Sequence, residues 1–173
     1  MVNWPNRDAV SLSNFYGQPW KVTSDGIVLD PLFERAHITR IPAAFDMWMG
    51  EAKIMRLAVN KKIAEPLSRI LERIAKETSA KERREFGIDE YGGGFNFRPI
   101  RGNGGKLTVN KLSLHSYGAA VDFSPTLNPI EKPYNPSAKM MPHEIIEIFK
   151  SEGAFWGGDF RTRPDCQHFE FTR

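Results

Sequence analysis

From Ile63 onward apolar residues recur at Leu67, Ile70, Leu71 and Ile74, with lysine, arginine and glutamate filling the other faces. Steps of four, three, one and three place one apolar stripe on a helix of 3.6-residue period. They predict a core-facing helix that starts near Lys62, with Pro66 in its first turn, where a missing N–H forfeits little. A second helix is predicted from Pro142 to Ser151, with proline at its first turn and Gly153 just past its end. The runs A-H-I-T-R-I and K-I-M-R-L-A-V, between residues 35 and 59, read as strands about a polar, glycine-bearing connection, and His37 reads as a strand residue without a metal role.

Strand alternation also places side chains. Residues 119–124 predict a strand that turns Val121 and Phe123 to the core and Asp122 the other way. Gln167–Thr172 predicts a closing strand with Phe169 and Phe171 inward, while His168 and Glu170 share the opposite face. Residues 1–30 read as an irregular N-terminal arm packed by Trp4, Phe15, Tyr16 and Trp20. Residues 79–90 read as charged and solvated, and Pro125–Pro136 as a proline- and asparagine-rich loop. No internal repeat or linker divides the chain, so residues 1–173 are expected to form one α+β domain: a small, mainly antiparallel sheet with two main helices.

Composition narrows the classes. With 173 residues and 40% hydrophobic content, the chain can bury a core without covalent staples. The net charge of +3 is a mild attraction towards polyanions. No helix-turn-helix, zinc-finger or RNA-binding signature accompanies it, so no specific nucleic-acid partner is expected. Cys166 is the single cysteine and has no intrachain partner. No apolar run approaches the roughly 18–20 residues of a spanning helix, which argues against membrane insertion. The start M-V-N-W-P-N-R lacks the basic and apolar regions of a signal peptide, so synthesis in the cytoplasm is expected.

The chemistry lies in two segments, S-L-H-S-Y-G-A-A-V-D (Ser113–Asp122) and P-D-C-Q-H-F-E-F (Pro164–Phe171). A catalytic zinc takes about three protein ligands and leaves a further position for water. His115, Asp122 and His168 meet that count, with Gly118 letting the chain bend between the first two. Cys166 is an alternative ligand, and Glu170 is placed to orient a ligand or, as a runner-up, to act as the base. His143 begins H-E-I-I-E, which fails the H-E-x-x-H metallopeptidase pattern at its fifth position. The glycine clusters around Phe95–Arg101 carry neither the Walker nor the dinucleotide spacing.

Ser113, His115, Gly118, Ala120 and Asp122 match every fixed position of S-x-H-x-x-G-x-A-x-D. In this the chain resembles the zinc D-alanyl-D-alanine carboxypeptidase and L-alanyl-D-glutamate endopeptidase family, relatives of the vancomycin-resistance dipeptidases. Asp165 and His168 resemble that family's acidic residue three before a histidine, followed by Phe169-Glu170, and Trp156-Gly-Gly-Asp-Phe resembles its approach. The likeness spans roughly residues 55–173, and the first 50 residues more weakly resemble the leader of phage-borne members. It implies the fold shared by these peptidases and the hedgehog signalling domain. It also implies one Zn2+ per chain held by His115, Asp122 and His168, and Asp165 as general base. Arg98 or Arg101, with Arg98 preferred for its place in the extended run, would polarise the substrate carbonyl. The implied activity is cleavage of peptidoglycan stem peptides by a monomer, with L-alanyl-D-glutamate endopeptidase ahead of D-alanyl-D-alanine carboxypeptidase. A non-catalytic zinc module, of the hedgehog kind, is the reading from another class. An enzyme of endolysin or prophage type would reach the wall through a membrane pore.

Overall fold

In the computed structural model, residues 2–100 and 107–173 are described. The architecture is mixed α and β, with small antiparallel sheets and five α-helices among the described residues, compatible with the expected α+β peptidase fold. Helix α1 (Ala9–Tyr16) leads into a hairpin of β1 (Trp20–Thr23) and β2 (Gly26–Leu29). The short helix α2 (Pro31–His37) precedes a long hairpin of β3 (Ile38–Met49) and β4 (Ala52–Asn60), whose register shifts between Pro42 and Met47. Helices α3 (Lys61–Glu77) and α4 (Ala80–Glu85) follow. The central sheet is built from β5 (Tyr91–Gly93), β6 (Ala120–Phe123), β7 (Phe155–Trp156) and β8 (His168–Glu170), with α5 (His143–Ser151) between β6 and β7 in the chain. Its order is β5-β6-β8-β7, antiparallel throughout.

The apolar stripe of α3 is the core's spine: Ile63, Leu67, Ile70, Leu71 and Ile74 are all buried. The helix starts one residue earlier than the periodicity suggests, because the Asn60 side chain accepts from the Lys62 N–H and caps it. Pro66 therefore lies beyond the first turn, in the buried face of the helix, and the bond its N–H would have made to the Lys62 carbonyl is absent. Asn60 also donates from Nδ2 to the carbonyls of Tyr16 and Tyr117, at 3.0 and 2.9 Å, joining α1, α3 and the segment before β6. On the core side of the central sheet, Phe169 stacks on Phe149 of α5 at 3.8 Å between ring centroids.

Three expectations need correcting. Residues 1–30 are not irregular: Asp8 caps α1 by accepting from Val10 and Ser11, and Leu12 and Tyr16 anchor the helix in the core. His37 ends α2 rather than lying in a strand, and its ring stacks on Phe33. The stretch 79–90 is solvated only along the exposed helix α4, opened by a capping box between Ser79 and Glu82, whereas Ile88 and Asp89 beyond it are buried. The predicted strand around 119–124, the helix ending at Ser151 and the closing strand all form.

Candidate metal centre

Each ligand candidate is placed by the strand or turn that carries it. Asp122 and His168 are direct cross-strand partners in the β6–β8 ladder, so the register alone sets them side by side. Val121 pairs with Phe169 in the same ladder, which fixes the apolar face and leaves the Asp122–His168 pair on the other. His115 arrives differently. Ser113 accepts from the His115 N–H and opens a single 3-10 turn, Leu114–Tyr117, which Gly118 closes at φ +66°. The chain then enters β6 with His115 folded back over Asp122.

Gly118 has no substitute here. A Cβ at this residue would lie 2.7 Å from both the Asn60 nitrogen and Ile38 Cδ1. Gly118→Ala is expected to lower stability by about 2–5 kcal/mol, combining roughly 1–2 for left-handed backbone with roughly 1–3 for overpacking. A drop in the urea midpoint at unchanged slope checks it.

The three side chains are buried, and one ligand atom from each lies within 4.8 Å of the others. His168 Nδ1 is 2.8 Å from Asp122 Oδ1, and His115 Nε2 is 3.3 Å from Asp122 Oδ2. His115 Nδ1 donates to the Gly94 carbonyl at 2.8 Å, which leaves Nε2 as the ring nitrogen facing the carboxylate. Nε2 has no hydrogen-bond partner of acceptable geometry. A buried nitrogen without a hydrogen-bond partner, facing a carboxylate oxygen, is satisfied by a proton or a metal cation between the two. His168 Nε2 meets Glu170 Oε2 at 3.1 Å, so Nδ1 is the nitrogen available to a metal once it gives up its proton.

Electrostatics follow the same pattern. Burial alone would push the Asp122 carboxyl up, but the imidazoles of His115 and His168 more than reverse that and hold it well below the usual range. Burial opposes the charged form of His168, yet hydrogen bonds and charges from Asp122 and Glu170 overcome it and raise its pKa. Glu170 is likewise held low against its burial, by His168 first and then Arg7. A donor set of two imidazoles and one carboxylate, buried and convergent, fits a zinc ion.

Over the triad lies a cleft of about 380 Å³, lined by Asp122, His168 and Asp165, with Arg7, Arg98, Arg161 and Arg163 among its walls. Asp165 is fixed by its backbone: its N–H donates to the Gly157 carbonyl at 2.9 Å and its carbonyl accepts from the His168 N–H at 3.0 Å. The Arg98 N–H is accepted by Ser116 Oγ at 3.0 Å, which pins this wall to the His115 turn. Arg101 lies outside the described residues. Cys166 is not among the convergent atoms; its Sγ faces the Lys132 carbonyl, and burial beside Asp165 and Asp159 pushes the thiol up to about 11. Both oxygens of Glu170 are engaged, Oε2 by His168 and Oε1 by Thr172 and Arg7, so this carboxylate orients rather than abstracts.

Residues 108–171 match the family model described as D-alanyl-D-alanine carboxypeptidase. The match takes in the His115 turn, β6, Asp165 and β8, and supports a zinc peptidase that acts on peptidoglycan. Arg98 and the N-terminal arm lie outside it. No curated protein matches the chain. Among the described residues no helix is long and apolar enough to cross a membrane.

Two contributors to the peptidase-like site escape sequence reasoning. The Gly94 carbonyl orients His115, and a Cβ at Gly94 would collide with the Tyr91 hydroxyl and the Ala58 carbonyl, so the glycine run Gly92–Gly94 was the available signal. Arg7 has no local signal at all, since it reaches the cleft only through the packing of the arm.

Proposed function

We propose that this protein is a zinc peptidase that cuts the L-alanyl-D-glutamate bond of peptidoglycan stem peptides. The observation that carries the reading is the convergence of His115, Asp122 and His168, two of which, Asp122 and His168, line a cleft together with Asp165. Zinc, held by those three residues, would supply Lewis-acid chemistry, acidifying a water and polarising the scissile carbonyl. The chain's own residues do the rest. The Asp165 carboxylate takes the proton of the attacking water and returns it to the departing amine nitrogen. Arg98, on the cleft wall, places a fixed positive charge where the carbonyl oxygen gathers negative charge. The arginines around the cleft suit a peptide rich in carboxylates, and a D-glutamyl residue brings one beside the bond to be cut. The enzyme acts on the wall, which it reaches through a membrane pore.

The description of the matched family favours a second reading, removal of a terminal D-alanine. Digestion of purified peptidoglycan followed by mass spectrometry separates the two. New amino-terminal glutamate is the expected product, and released free alanine without it would replace the endopeptidase with the carboxypeptidase. Zinc-loaded protein that releases no new amino groups from any wall type would leave only a non-catalytic zinc module.

A further inference from the structure

The N-terminal arm ends in the metal site. Arg7, the residue before the cap of α1, sends its Nε to Glu170 Oε1 at 3.1 Å. The other oxygen of Glu170 holds His168 Nε2 at 3.1 Å, and the opposite ring nitrogen of His168 faces Asp122 at 2.8 Å. Thr172 Oγ1 donates to Glu170 Oε1 at 2.7 Å and completes the set. The guanidinium is steadied by the Phe160 ring, 4.4 Å from its centroid. The arm itself is tied down: Trp4 packs edge-on against Phe171, and the Pro5 carbonyl accepts from the Arg173 N–H.

We propose that Arg7 is a positioning residue for the metal centre, acting through Glu170 on the ring of His168. The physical case is one of charge and geometry. Glu170 is fully buried, and a buried carboxylate persists where a cation and hydrogen bonds satisfy it. Among the described residues Arg7 is the one lysine or arginine in ion-pair distance of it. With Oε1 fixed by Arg7 and Thr172, Oε2 can only point at His168 Nε2, and this sets the rotation of the ring that aims Nδ1. The arm is thereby part of the metal site, 161 residues upstream of the ligand that it orients.

The inference rests on the metal-centre reading, and metal binding is therefore measured directly, apart from peptide cleavage. Zn2+ is titrated into wild-type protein, Arg7→Ala, Arg7→Lys, Glu170→Gln and the Arg7→Ala/Glu170→Gln pair, in competition with a chelating dye. Co2+ absorption spectra of the same set report ligand geometry. Loss of a partner that orients a metal ligand lowers metal affinity by about 10- to 100-fold. We expect Glu170→Gln in that range, Arg7→Ala near its lower end, Arg7→Lys between Arg7→Ala and wild type, and the pair no weaker than Glu170→Gln alone. The Co2+ spectrum of Arg7→Ala should shift towards that of Glu170→Gln. Wild-type affinity in Arg7→Ala, or losses that multiply in the pair, would overturn the positioning role. So would a raised KM for peptide in Arg7→Ala with unchanged Zn2+ affinity, which would make Arg7 a substrate contact. Should Arg7→Ala not fold, Arg7→Lys against Glu170→Gln carries the same comparison. Wild-type protein that binds no Zn2+ would instead remove the metal centre itself, a different failure read in a different sample.

Discussion

Asp122→Asn is expected to strip the protein of bound zinc and, with it, of peptide hydrolysis. Asp122 is the one anionic member of the convergent set, and its two oxygens face one imidazole each, at 2.8 and 3.3 Å. Asparagine keeps the shape but removes the negative charge that offsets a dication in a buried site. It also turns an amide N–H2 towards one of the two ligand nitrogens. Zinc bound by four ligands is worth about 10–16 kcal/mol, so one ligand is worth roughly 3–4. Affinity should therefore fall by about two to three orders of magnitude. Elemental analysis of purified protein should find near-stoichiometric zinc in the wild type and little in the variant, with an unchanged far-ultraviolet circular dichroism spectrum. Full zinc occupancy in the variant would remove Asp122 from the ligand set.

The second large effect separates chemistry from metal binding. Asp165→Asn should keep its zinc and lose about 10²- to 10⁴-fold in kcat, the usual contribution of a general acid–base group. Asp165 lines the same cleft as Asp122 and His168 but is not one of the three convergent side chains that could hold a metal. Its backbone is locked to Gly157 and His168, so substitution of the side chain leaves the bend before β8 in place. KM should change little, because a group that acts on the proton in the transition state contributes to rate more than to binding. A variant with wild-type kcat would pass the base role to another group, and one that loses zinc would make Asp165 a ligand.

Much of this was legible in the sequence, for reasons that differ from element to element. The stripe from Ile63 to Ile74 announced α3 because a helix that packs on a core must repeat its apolar residues at the helical period. The alternation around Asp122 and His168 put both on polar strand faces, since a strand with one apolar face has little freedom in register. The glycine in the His115 motif marked a turn that only a residue without Cβ can make, and Gly118 makes it. Where the reading failed, local signals were weak or were overridden. Helix α1 is built from A-V-S-L-S-N-F-Y, whose serines, valine and asparagine are poor helix formers, and its stability comes from burying Leu12 and Tyr16. His37 sits between an Asp-Pro helix start and a run of β-branched residues, and the helix claims it.

The sequence by itself determined which residue types could bind a metal and on which face of which strand they lie, because periodicity and turn chemistry act within a few residues. Only the tertiary structure decided who meets whom. The β6–β8 register set Asp122 opposite His168, the backbone at Gly94 chose which nitrogen of His115 stays open, and the arm delivered Arg7 to Glu170. Those contacts join residues from 21 to more than a hundred positions apart. They are fixed by the burial of a shared core, which leaves no mark on the local pattern of either segment.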